Sequence, residues 1–270
     1  MTGRVRAWCD GGGALRWLSF HDYARRVFGA NHPDWFREPM RQVAGLADAN
    51  KVLRSQVIAF DLGALWAAHA ALAADAEGAA RLAAVLDSPA VAGFCDTAIA
   101  ALVHQQAGRA DVWLALPSPA GALIALGEPA AAIDFDMLDD AAGLIADFLR
   151  TKASAGIDGL VMVLAATGVS TDDDLDAAES IRASAAHYDW LFALCADSAA
   201  QAGDWTGIAP DLWLPAAAQV ELPADAPACA SLDRAFWQDG PPPGPGAAVY
   251  GTVPADLDPA LIAQRAGLLP

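Results

Sequence analysis

The segment Val57–Gly63, VIAFDLG, limits the fold of this chain more than any other. An apolar run suited to a strand stops on a carboxylate, Asp61, with a glycine two places on. Further along, Val112–Ala120 (VWLALPSPA) repeats the arrangement and ends in a Pro-Ser-Pro turn around Ser118. Each is followed by a long alanine-rich stretch with helical period. Strands that are apolar throughout, rather than alternating, belong to parallel sheets buried on both faces. When such strands alternate with helices and carry polar residues at their carboxyl ends, the pattern is that of an α/β barrel, whose chemistry sits on the strand-to-helix loops.

Other segments extend this pattern. Residues 1–20 offer two candidate strands, Val5–Cys9 or Ala14–Phe20, on either side of the Gly11-Gly12-Gly13 break. Helices are expected over His21–Gly29 and Pro33–Leu53, the latter with proline in its first turn, where no backbone N–H is lost. They are also expected over Ala64–Ala74, Gly78–Gly108 and Phe135–Ala155, the last closed by Gly156. Leu160–Ala165 reads as a strand, and Thr171–His187 as a helix with a hydroxyl and three aspartates at its start. Trp190–Cys195, Leu212–Pro215, Ala228–Leu232 and Ala247–Gly251 follow as strands. The proline-rich loop Gly240–Gly246 precedes the last of them, and a final helix spans Pro259–Ala266. Seven strands, with an eighth near the N-terminus, predict an irregular (β/α)8 TIM barrel. It would form one domain over residues 1–270, with residues 1–55 as a mainly helical elaboration.

Composition narrows the partners. A net charge of −17 opposes binding to nucleic acid or an anionic membrane surface, since both require a basic field. The apolar content of 55% supplies one large core and excludes global disorder. No uncharged apolar run reaches the roughly 18 residues needed to cross a bilayer, and no signal-peptide pattern follows Arg4 and Arg6. The four cysteines, Cys9, Cys95, Cys195 and Cys229, form no metal-type pair and suit reduced thiols in the cytoplasm. No dinucleotide fingerprint, phosphate-binding loop or G-x-S-x-G nucleophile motif occurs.

Four passages, in order, resemble the superfamily of uroporphyrinogen decarboxylases, corrinoid-linked methyltransferases and cobalamin-independent methionine synthase. They are VIAFDLG with Asp61, Leu114–Leu123 (LALPSPAGAL), Ala155–Val163 (AGIDGLVMV) and Val249–Leu261 (VYGTVPADLDPAL). The resemblance implies a TIM barrel that acts on a small organic molecule in its mouth, by methyl transfer or decarboxylation-type chemistry, with Asp61 in the place of the family's aspartate. The departures are specific. Met40–Gly45 echoes the decarboxylases' arginine-bearing strand but lies in a helical stretch, with Leu46 where the second arginine belongs. The tyrosine after the second passage is absent, and no histidine follows His187. The zinc enzymes' His-x-Cys becomes Ala193-Leu194-Cys195, so the usual metal site is not reproduced; no cofactor is expected, with zinc on Asp61, Cys195 and Cys229 as the alternative.

At the expected mouth, Asp61 is the candidate acid/base or electrostatic stabiliser; capping the next helix is its structural alternative. Ser118, Cys195, Asp197, Arg234 and Thr252 are the candidate substrate-binding residues. Cys195 also suits a buried small apolar residue, Asp197 a helix cap, and Asp233-Arg234 a rim charge pair. His69 and His104 lie in helical patterns, and His187-Tyr188 at the opposite end. Besides a small-molecule substrate, the expected partner is a second copy of the chain. The alternative function is a catalytically silent barrel that binds a ligand or partner, with its nine tryptophans contributing interface.

Overall fold

A computed structural model describes residues 3–164, 168–196, 209–216 and 227–270. Helix α1 (Arg4–Gly11) is followed by strand β1 (Leu15–Ser19), so the strand lies after the triple glycine and Val5–Cys9 is helical. Then come α2 (His21–Val27), α3 (Pro39–Leu53), β2 (Val57–Asp61), α4 (Leu62–His69), α5 (Gly78–Leu86), α6 (Pro89–Gln106) and β3 (Asp111–Pro117). They are followed by α7 (Pro119–Ala125), α8 (Phe135–Arg150), β4 (Gly159–Leu164), α9 (Thr171–Ala177), α10 (Glu179–His187) and β5 (Leu191–Ala196). The described part ends with β6 (Leu212–Pro215), β7 (Ala230–Ser231), α11 (Arg234–Gln238), β8 (Ala248–Thr252) and α12 (Pro259–Ala266).

Several helices are shorter than the alanine content suggests, because local chemistry interrupts them. Pro33–Phe36 forms only a 3-10 turn, and Pro39 takes the first position of α3 instead. The expected 78–108 helix splits into α5 and α6, with Pro89 at the start of α6, where its missing N–H costs nothing. The 171–187 stretch divides at Ala178, and its capping hydroxyl is that of Ser170, which accepts from Asp173 N. Gly156 has φ +77° but lies beyond α8, which ends at Arg150.

The strands form two parallel sheets, β2-β3-β4-β5-β6 and β1-β8-β7. Their edges adjoin on both sides. Trp213 of β6 bridges to Ala228, with Trp213 N donating to Pro227 O (2.8 Å) and Cys229 N to Trp213 O (3.1 Å). At the other side Gln56 N donates to Arg16 O (2.8 Å), and the Gln56 amide oxygen accepts from Arg16 N (2.7 Å). Ser55 Oγ accepts from Leu18 N (3.0 Å) and extends this seam.

Strand alternation creates two cores. One lies between the strands and the helices. The other gathers the opposite strand faces: Trp17, Val57, Trp113, Val161, Ala193, Leu214 and Tyr250, from seven different strands, and Cys229, just ahead of β7, pack into one cluster with Val5 of α1. Trp17 and Trp113 meet edge to face at 4.6 Å between ring centroids, a geometry that adds to their burial. The Trp113 ring lies over β4 because residue 159 is glycine; a Cβ there would sit 2.6 Å from Leu191 O and 2.7 Å from the indole. At the amino ends of the strands, the Asp111 carboxylate receives Arg4 N and Val5 N, both at 2.9 Å, and holds the start of α1. No single helix among the described residues is long and apolar enough to cross a membrane.

Candidate active site at the carboxyl ends of the strands

Val57 and Ala59 belong to the inner cluster, so Asp61, the last residue of β2, falls on the same strand face at its carboxyl end. One carboxylate oxygen, Oδ1, accepts from Ala64 N at 2.8 Å and caps α4. The capping role weighed from the sequence is therefore present, but it engages only one oxygen. The other, Oδ2, lies 4.0 Å from His21 Nδ1, and Asp61 remains 36% exposed.

His21 opens α2 immediately after β1 and is 7% exposed. Its Nε2 accepts from Trp35 Nε1 (3.1 Å) and lies 3.0 Å from the Gln42 amide nitrogen, a second donor. With Nε2 serving as acceptor, a neutral imidazole carries its proton on Nδ1. That buried Nδ1 has no hydrogen-bond partner; Asp22 Oδ1 at 3.8 Å and Asp61 Oδ2 at 4.0 Å flank it. Both separations exceed a hydrogen bond. The imidazole in turn holds the Asp22 carboxyl below its ordinary value. Phe36 stacks on the ring at 5.6 Å. Two glycines let Trp35 reach the histidine, since a Cβ at Gly29 or Gly45 would come within 2.5 or 2.6 Å of the indole. Thus Met40–Gly45, which merely echoes an arginine-bearing strand in the sequence, supplies Gln42 and Gly45 to the support of His21.

The other candidates occupy different settings. Cys195 is buried in the inner cluster, its Sγ 3.2 Å from Tyr250 Oη. Thr252 follows Tyr250 by two places on β8, opposite Ser19 in the β1–β8 register, and is exposed. Ser231 follows Cys229 by two places, with a buried Oγ that lacks a hydrogen-bond partner. Ser118 is fully buried and caps α7, accepting from Gly121 N at 3.2 Å. It sits beside the buried Asp174, which accepts from Ala120 N at 2.8 Å. Burial pushes the Asp174 carboxyl up, against the lowering effect of Ser118 and Ala120 N–H. Arg234 forks onto Asp256 at 3.0 and 2.6 Å on the surface, while its neighbour Asp233 caps α11. Asp197 lies outside the described residues.

The structure therefore brings together Asp61 and His21, places Cys195 with Tyr250 in the inner cluster, and turns Ser118 and Arg234 to partners of their own. The sequence does not single out His21, Trp35 and Gln42, because it offers two alternatives for the strand that precedes His21. A polar residue two places beyond Ser19, at the first position of the following helix, is the signal that identifies His21 once that strand is placed.

The thiols fit zinc poorly. A catalytic zinc takes three protein ligands, and no group of three or more His, Cys, Asp or Glu suited to a metal occurs among the described residues. Burial, and secondarily Cys9 on α1, pushes the Cys229 thiol up to about 12, away from the thiolate a metal binds. No protein-family model matches the chain, and no curated protein matches it.

Proposed function

We propose that the two parallel sheets are arcs of one (β/α)8 barrel, and that the chain is a divergent enzyme of the uroporphyrinogen decarboxylase and methyltransferase superfamily. It acts on a small organic molecule at the carboxyl ends of the strands, by methyl transfer or decarboxylation-type chemistry without the usual metal. The ordered family-like segments and the adjoining sheet edges support the fold part of this reading. The observation that carries the functional part is the pair formed by Asp61 and His21. One carboxylate oxygen is committed to a helix cap and the other is not, and it faces a buried imidazole nitrogen that lacks a partner.

This arrangement can move a proton or stabilise charge. Asp61 Oδ2 accepts or returns a proton at the substrate, or holds a cationic centre. His21 Nδ1–H donates to a substrate oxygen as negative charge develops on it. Trp35 and Gln42 fix the imidazole so that it makes this contact without reorganising. The inner cluster of Trp17, Trp113 and Tyr250 forms a packed floor, as barrel interiors do.

The test is ligand capture from a metabolite extract, read by mass spectrometry, followed by turnover of whatever is retained. Native protein is expected to retain and convert a small molecule, and Asp61→Asn to lose conversion while keeping its fold. Equal conversion by Asp61→Asn would overturn the mechanism. Absence of any conversion, with retention intact in both proteins, would favour the silent ligand-binding barrel.

A further inference from the structure

At the opposite end of the strands, a groove of about 760 Å³ opens where the carboxyl-terminal ends of α3 and α6 pack side by side. Arg4, Lys51, Arg54, Arg109 and His104 line it, with Asp48 as its one carboxylate. The chain as a whole holds 33 acidic residues against 16 lysines and arginines, so four of those sixteen beside a single acid invert the balance locally. Two of the four are engaged: Lys51 pairs with Asp48 at 2.7 Å, and Arg4 donates to Gly108 O at 3.0 Å. Arg54 and Arg109 have neither a hydrogen bond nor an ion pair from their guanidiniums among the described residues, and His104 has none from its ring.

Helix carbonyl ends attract cations, which explains why basic residues end α3 and α6. It does not explain their convergence on one concavity, nor the backbone at Arg54. That residue caps α3 in the left-handed conformation, φ +54°, where glycine or asparagine is the usual occupant. A side chain held there at a conformational cost, with no partner, points to a contact outside the chain. The local field is also under-compensated. The half-buried Arg16, whose guanidinium donates to the carbonyls of Leu53 and Leu269, is lowered from its ordinary value by burial and by the neighbouring Arg54 charge.

We propose that this groove binds a small polyphosphate-bearing molecule, gripped by the guanidinium forks of Arg54 and Arg109, with Lys51 and Arg4 at its margins. Two planar donors lining one groove, one from the end of α3 and one from beyond α6, suit adjacent phosphates, to which arginine binds bidentately. The site is separate from the Asp61–His21 pair and does not depend on it.

Calorimetric titration with inorganic tripolyphosphate tests the proposal. The double variant Arg54→Asn/Arg109→Gln keeps a residue that tolerates the left-handed backbone, so it is expected to fold. Native protein should bind at low salt and progressively less as salt rises. The double variant should bind about tenfold more weakly or not at all. Arg182→Ala, which removes an exposed arginine paired with Glu179 elsewhere, should bind as native does. No binding by native protein, or equal binding by the double variant, would overturn the proposal.

Discussion

Two aspartates, one at each end of the strands, show how differently the same side chain can be used. Asp111, at the start of β3, is buried, and each of its oxygens receives a backbone N–H of α1. It is fully consumed in holding a helix over the amino ends of the strands. Asp61, at the end of β2, gives one oxygen to a helix cap and leaves the other beside His21 at a partly open position. A carboxylate whose acceptor capacity is spent on backbone is a structural part. One that is half spent, facing an orphaned buried imidazole nitrogen, is available for chemistry. Position relative to the strand therefore matters less than what remains unsatisfied.

The comparison can be broken first at the shared floor. Trp113→Ala removes a fully buried ring from the inner cluster and should cost about 3–5 kcal/mol in urea unfolding, undermining both ends together. Asp111→Ala leaves two N–H groups of α1 without their charged acceptor and should cost about 3 kcal/mol. If it cost nothing, the amino-end aspartate would not be the structural one. Asp61→Ala loses the α4 cap, about 1 kcal/mol, whereas Asp61→Asn retains a capping oxygen and should leave stability nearly unchanged. A large loss in Asp61→Asn would mean that Asp61 too is structural.

The smallest effect concerns Asp174, the buried acid beside Ser118. Burial raises its folded value above the ordinary 3.8, so the native state binds its proton more tightly than the unfolded chain does. Its contribution to stability is therefore full below about pH 4 and is lost as pH rises through the folded value. Asp174→Asn keeps an oxygen for Ala120 N but cannot ionise. As pH rises above about 4 through the folded value, the native protein should lose urea stability relative to this variant; parallel curves would mean that the carboxyl is not desolvated in solution.

Much of the strand order was legible because apolar runs without alternation have few other uses. Leu212–Pro215 and Pro259–Ala266 occur with the expected bounds. The helices were less legible, since alanine carries helical period straight through a break; Pro89 at the start of α6, the hinge at Ala178 and the Ser170 cap divide them. At the site, Asp61 was legible from its place after VIAF. His21 was not, because its meaning depends on Trp35, Gln42 and two glycines that reach it only through the tertiary fold. Ser118 and Arg234 rank behind Asp61 in sequence, as substrate-binding candidates; their actual partners, the Gly121 N–H and Asp256, emerge only from the structure.

The pairing of Asp61 with His21 is tested most directly by long-range proton–nitrogen correlation NMR on histidine-labelled protein, native and Asp61→Asn. The expected result is a His21 ring protonated at Nδ1 and bare at Nε2, with the Nδ1 resonance displaced when Asp61 becomes asparagine. A proton resident on Nε2, or a His21 ring indifferent to that substitution, would contradict the assignment of this pair as the reactive centre.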